Sequence, residues 1–134
     1  MKKAIKIMGT ILVSVLILNI SVFYICRHGW RLFGFDMCEN PDMLYIEQVY
    51  VTEDGVHIAG NTMSSASSYV GYTYEIKDNT LFLGIKQNLL FGFISRIGTY
   101  SVEIKDDLKN VEAICLLGGD NISKCIWSVQ DADK

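Results

Sequence analysis

The N-terminal part of the chain contains 20 consecutive residues, Ile7 to Cys26, without a charged side chain. An α-helix of that length would extend about 30 Å, which is the thickness of the hydrocarbon core of a bilayer. Lysines at positions 2, 3 and 6 precede the run, and two arginines, Arg27 and Arg31, follow it. Because this slight excess of positive charge favours a cytoplasmic N-terminus, the sequence predicts one membrane span with the rest of the chain outside the cytoplasm.

The apolar run has two interpretations, a cleaved signal peptide or a retained anchor. The core of a signal peptide is usually shorter and is followed by small residues. This run instead ends on bulky residues, and the residues before Cys26 do not fit a lipidation signal. We therefore predict an uncleaved anchor over 7–26, preceded by a basic cytoplasmic N-terminus over 1–6.

Charge is divided unevenly between the two parts of the chain. Residues 1–31 hold five Lys and Arg and no acid, so the remainder holds 7 Lys and Arg against all 15 Asp and Glu, a net charge of −8. An acidic exported domain is poorly suited to nucleic acid or to anionic lipid surfaces, which require clustered positive charge. Solubility explains this balance, and a basic partner or a cation is the alternative.

The first predicted hairpin follows a strand over 44–51 that is rich in β-branched and aromatic residues. Asp54-Gly55 is a strong signal for a two-residue hairpin loop. A loop at these two residues would place Val51 opposite Ile58. It would also place Thr52 opposite His57.

The second predicted hairpin turns at Asp78-Asn79. Pairing Lys77 with Thr80 sets a register in which the apolar and aromatic residues sort to one face. That face consists of Tyr72, Tyr74, Ile76, Leu81, Leu83 and Ile85. Because a slip of one residue would scramble this pattern, the register is well specified.

The remainder of the sequence also predicts strands. Residues 100–104 alternate between apolar and polar, residues 111–117 are almost continuously apolar, and a turn at 118–121 precedes a last strand. We predict an all-β domain of about seven strands, an antiparallel sandwich or a small barrel, with no convincing helix after residue 30. The predicted domain covers 43–130, after a juxtamembrane linker over 27–42 and before a polar tail over 131–134.

The chain has four cysteines, and an exported domain allows disulfides. Centring the last turn on Asp120 places Cys115 opposite Cys125, which makes them a possible disulfide pair. The alternative is two buried free thiols, because directly opposed residues of a sheet lie slightly farther apart than a disulfide requires.

Residues with catalytic or metal-binding chemistry are sparse. The two histidines, His28 and His57, have no partner at metal-ligand spacing, and the serines over 64–68 lack a hydrolase motif. The acidic Asp106-Asp107 lacks calcium-loop spacing. We therefore predict no metal, no cofactor and no catalytic residue.

One apolar segment lacks the alternation of its neighbours. Its bulkiest residues are Leu89, Leu90, Phe91 and Phe93. The segment is interpreted as a buried strand or, alternatively, as an exposed loop that contacts a partner or the membrane. As an exposed loop it would be a possible partner surface.

Residues 69–127, through the string GYTYEIKDNTLFLGI and the late IW, resemble small membrane-anchored β-domain proteins of Gram-positive bacteria, a group without an assigned reaction. The resemblance implies an envelope location, and some such proteins provide immunity against secreted toxins. Our hypothesis is a non-enzymatic, extracytoplasmic β domain that binds a protein partner. The alternative is an accessory subunit that contacts a membrane complex through its helix, on which Ser14 and Ser21 share a face.

Overall fold

The computed structural model describes residues 1–63, 68–88 and 98–132, apart from the side chains of residues 26, 27, 29–31, 88, 131 and 132. Within these ranges a long helix, α1, precedes seven strands in two sheets and a short final helix, α2. The elements are α1 (Lys2–Phe33), β1 (Leu44–Thr52), β2 (Gly55–Thr62), β3 (Ser68–Lys77), β4 (Thr80–Asn88), β5 (Thr99–Lys105), β6 (Ala113–Leu117), β7 (Ser123–Ser128) and α2 (Val129–Ala132). The predicted apolar N-terminal helix and sandwich-like β domain are confirmed.

The two sheets pack face to face around one apolar core. Sheet 1 has the antiparallel strand order β1-β2-β5, and sheet 2 has the order β3-β4-β6-β7. Side chains of β5 alternate between buried and exposed, as period-2 strands require. The core residues of β2, β4, β5 and β6 are Val56, Ile58, Leu81, Leu83, Ile85, Tyr100, Val102, Ile104, Ile114 and Leu116.

The predicted register of the β3–β4 hairpin is confirmed. Lys77 pairs with Thr80, and the pairing continues along the strands as the sorting of side chains requires. Asp78 and Asn79 have φ values of 50° and 60°, the left-handed conformation that a type I′ turn needs at both central positions. At the open edge of the sheet, however, Ile76 is 39% exposed.

The predicted register of the β1–β2 hairpin is wrong. Thr52 pairs with Gly55 and Val51 with Val56, so the loop is Glu53-Asp54. Gly55 does not adopt a left-handed φ, and it opens β2 at a crowded position, where an added Cβ would lie 2.5 Å from the carbonyl oxygen of Ile104. Its small size serves close strand approach rather than the turn.

Sheet 2 is mixed rather than antiparallel, because β4 and β6 run parallel. The connection 106–112 crosses from sheet 1 to sheet 2 and fills the end of the sandwich with Leu108 and Val111, both buried. The Leu108 N–H donates to Glu53 O (3.0 Å) and the Glu112 N–H to Asn79 O (2.8 Å). The chain therefore enters β6 beside the beginning of β4. We call this end of the sandwich the distal end.

The predicted linker over 27–42 is folded. Helix α1 continues to Phe33 and ends at Gly34, whose φ is 57°. Two 3-10 helices, Gly34–Met37 and Pro41–Met43, then form a neck over Gly34–Met43. The Glu39 N–H donates to Ile85 O at 2.7 Å, and this hydrogen bond joins the neck to strand β4 of sheet 2.

Candidate functional site

Helix α1 is long and apolar enough over Lys2–Ile25 to cross a membrane, and none of its most apolar stretch is buried against the β domain. Three of its polar side chains donate hydrogen bonds within the helix. Thr10, Asn19 and Ser21 each donate to the carbonyl oxygen four residues earlier, at 2.7–3.0 Å. Because their hydroxyl donors already have acceptors, Thr10 and Ser21 can lie in lipid without a partner helix.

The neck packs against the outer face of sheet 2 at Gly84. A Cβ at this position would lie 2.5 Å from Cys38 Sγ and 2.8 Å from the ring of Phe35, so only glycine admits the two side chains. The Cys38 thiol is free and buried. Burial raises its pKa to about 11, and the nearby Lys86 opposes this effect only in part. The raised pKa keeps the thiol protonated and unreactive near neutral pH.

Cys115 and Cys125 form a disulfide between β6 and β7. The two residues are directly paired, in the register that the sequence predicts. A bulge between Ile114 and Cys115 interrupts the ladder immediately beside the bridge. Cys115 is buried, whereas Cys125 is exposed.

The outer face of sheet 1 presents two large exposed aromatic side chains. Tyr45 is 56% exposed and Tyr50 is 61% exposed, and both lie on the edge strand β1. Tyr50 pairs with His57 on β2, and their rings are 6.4 Å apart. His57 in turn pairs with Glu103 on β5. We call this outer surface of β1, β2 and β5 the tyrosine face.

Hydrogen bonds between side chains order the tyrosine face. His57 Nε2 and Ser101 Oγ lie 3.0 Å apart, and the Asn61 amide donates to Glu47. A shallow depression of about 430 Å³ lies beside His57, bordered by Tyr50 and Glu103. The face therefore combines fixed polar groups with exposed rings.

Both edges of sheet 1 are modified in ways that hinder the addition of another strand. The Tyr72 hydroxyl donates to Glu103 O at 2.9 Å, and the Tyr74 hydroxyl donates to Asp106 Oδ2 at 3.1 Å, so residues of β3 cover the β5 edge. At the other edge, β1 is bulged at Glu47. Covered and bulged edges resist strand pairing. A partner is therefore more easily bound on the tyrosine face than by adding a strand to the edge of sheet 1.

The His57–Ser101 pair has the spacing of a base and a nucleophile. Among the described residues, however, no carboxylate hydrogen-bonds to His57, so nothing orients its ring as a catalytic base requires. Within the described part of the chain, no group of three His, Cys, Asp or Glu side chains could hold a metal ion. The absence of an enzyme activity and of a cofactor stays a prediction.

The predicted partner surface at Leu89, Leu90, Phe91 and Phe93 lies outside the described residues, as do most of the serines over 64–68. His28, the second histidine, lies on α1 near Tyr24, with the rings 4.9 Å apart, and far along the chain from the tyrosine face. Sequence reasoning missed the tyrosine face. The signal available was the pair of tyrosines on β1, but their spacing of five residues does not match a shared strand face.

Comparison of the chain with protein-family models, with curated proteins and with solved structures gives no match. The features that bear on function are therefore the apolar helix, the neck and the tyrosine face.

Proposed function

We propose that this protein is a non-enzymatic, membrane-anchored β domain that binds a protein partner in the cell envelope. The observation that carries the proposal is the tyrosine face, on a domain joined directly to an apolar helix. Tyr45 and Tyr50 are both more than half exposed on this face, and Tyr50 lies beside His57. Tyrosine supplies large contact area with little loss of conformational entropy, and it is enriched in the residues that dominate binding energy.

The charges around this face favour a partner with basic groups. The strands of this face carry Glu47 and Glu103, with Asp54 in the adjoining loop, against a single lysine, Lys105. The Lys105 ammonium lies 3.3 Å from Glu103. That ion pair is exposed at both ends and contributes little to stability. The domain as a whole is acidic, which would speed association with a basic partner.

The Cys115–Cys125 bridge supports an extracytoplasmic location, because disulfides persist mainly in oxidising compartments. The test of location uses an introduced thiol, since Cys38 is buried and unreactive. We expect Lys109→Cys, in the exposed connection 106–112, to react with a membrane-impermeant maleimide in intact cells. Reaction of this cysteine only after lysis would place the domain inside and contradict the proposal.

Partner binding is tested by photo-cross-linking in intact cells. Full-length protein carries benzoylphenylalanine in place of Tyr50, and the matched control carries it in place of Glu75, which is exposed on sheet 2. We expect one discrete adduct from position 50, no adduct from position 75, and loss of the adduct when Tyr45→Ser is added. Equal adducts at both positions, or insensitivity to Tyr45→Ser, would refute the role of the tyrosine face.

The alternative function, an accessory subunit that binds through its helix, predicts a different result. If Ser14 and Ser21 contact another helix, an unrelated apolar anchor would abolish function. If the tyrosine face is sufficient, the same exchange would leave the position-50 adduct intact. Since Ser21 already donates to Ile17 O within its own helix, we favour the second outcome.

A further inference from the structure

The end of the sandwich opposite the distal end carries several exposed apolar side chains. They belong to the end of α1, the neck, and the connections that follow β2 and precede β7. They are Leu32 (66% exposed), Phe33 (54%), Met43 (38%), Met63 (62%) and Ile122 (39%). We call these five residues the apolar rim.

The connections that carry the rim converge in space. The Met63 N–H donates to Met43 O at 2.8 Å, which places these two residues side by side. The Gly119 N–H donates to Cys38 O at 3.3 Å, which joins the connection before Ile122 to the neck. The connections that carry Met43, Met63 and Ile122 therefore lie next to the neck, into which α1 leads.

The length of α1 sets the height of the rim above the membrane. Seven residues separate Cys26, the end of the charge-free run, from Phe33, a helical rise of about 10 Å. The headgroup layer on each side of the hydrocarbon core is about 5–8 Å thick. With the usual tilt of about 20°, the backbone of Phe33 lies about 10 Å above the hydrocarbon core, just beyond this layer. Because helical side chains point back toward the N-terminus of their helix, the side chains of Leu32 and Phe33 reach down into it.

We propose that the apolar rim rests on the surface of the bilayer that holds α1, with its side chains at the level of the lipid headgroups. This inference depends on the anchoring in the proposed function. Continuity of the rim with the membrane-spanning helix identifies the bilayer as the occupant. Asp42 and Asp120 lie beside the rim and oppose approach to anionic lipid, so the contact is apolar and favours zwitterionic headgroups.

Such a contact orients the tyrosine face. Tyr45 lies two residues from Met43 and thus near the membrane, whereas Tyr50 lies five residues farther along β1, about 17 Å higher at most. A domain resting on its rim would present the face sideways, close to the lipid. The partner would then be another protein at the same membrane surface.

The test places benzoylphenylalanine at three positions of the full-length protein in phosphatidylcholine vesicles, and measures lipid adducts by intact mass. The positions are Leu16 in the span, Met63 in the rim and Lys109 at the distal end. We expect adducts at Leu16 and Met63, with the yield at Met63 about tenfold above that at Lys109. A yield at Met63 equal to that at Lys109, with Leu16 still cross-linked, would overturn the inference and leave the anchor intact.

Failure at Leu16 as well would instead overturn the anchoring itself, and with it the proposed function.

A second arm of the experiment uses vesicles with equal amounts of phosphatidylcholine and phosphatidylglycerol. We expect the Met63 yield to fall about twofold in this mixture while the Leu16 yield is unchanged. A rise at Met63 would show electrostatic attraction to anionic lipid and would refute the apolar contact.

Discussion

Reduction of the Cys115–Cys125 disulfide is expected to lower the free energy of unfolding by about 2–3 kcal/mol. The bridge joins residues separated by 10 positions. Loop-closure entropy for about 10 residues is about 9 cal/mol/K, or about 2.7 kcal/mol at 25 °C. The hairpin is also held by the hydrogen bond from the Gly118 N–H to Ile122 O, which limits local opening after reduction. The loss therefore arises mainly from freedom gained by the unfolded chain.

Urea unfolding of the full-length protein in detergent measures this loss. Trp127, which packs against the core, reports unfolding in a Trp30→Phe background. With a urea dependence of about 1–3 kcal/mol/M, reduction should lower the midpoint by about 1–3 M. The Cys38→Ala variant should keep this response to reductant, and a double variant, Cys115→Ala with Cys125→Ala, should lose it. An unchanged midpoint on reduction of the parent protein would refute the loop-closure argument.

Three further outcomes are expected. Gly60→Ala should lower the free energy of unfolding by at least about 3 kcal/mol, measured by the same urea titration, because its Cβ would strike the Tyr45 carbonyl oxygen and the Tyr100 hydroxyl, and neither can move without breaking their hydrogen bond. Cys38 should be alkylated about a hundredfold more slowly in the folded protein than in urea at about pH 8, since a pKa raised from 9.0 to about 11 lowers the thiolate fraction by that factor; equal rates by mass spectrometry would contradict its burial. Stability should be constant up to about pH 9 and fall between about pH 9 and 12, because burial raises the pKa of Cys38 to about 11 and of Tyr69 to about 12, so that ionisation favours the unfolded chain; urea midpoints across this range would show the decline.

The two hairpins show what local sequence can and cannot specify. At Asp78-Asn79 the turn residues and the side-chain pattern agree, and both predict the same register. At Asp54-Gly55 the glycine predicts a turn, but its role depends on the carbonyl oxygen of Ile104, almost 50 residues away. A glycine required by a long-range contact cannot be distinguished by local pattern from one required by a turn.

Long-range organisation accounts for the other differences. The parallel β4–β6 pair depends on how the connection 106–112 crosses the end of the sandwich, and nothing in the composition of β6 identifies its neighbour. The sequence of the neck similarly predicts a linker with a turn at Pro41. Its folded state depends on Gly84, which leaves room for Phe35 and Cys38 on sheet 2. Neither feature has a local periodicity that could predict it.

One extra residue in β1 prevents prediction of the tyrosine face from the sequence. In a regular strand Tyr45 and Tyr50, five positions apart, would point to opposite sides of the sheet. The bulge at Glu47 shifts the phase, so that Tyr45 pairs with Asn61 and Tyr50 with His57, two residues that β2 places on the same side. On the other side of the sheet, Leu44 and Ile46 before the bulge pack in the core, and so do Val49 and Val51 after it. The one inserted residue therefore keeps the apolar side chains on the inner face and the tyrosines on the outer face. The same residue that interrupts the β1 edge thus assembles the surface that we propose for partner binding.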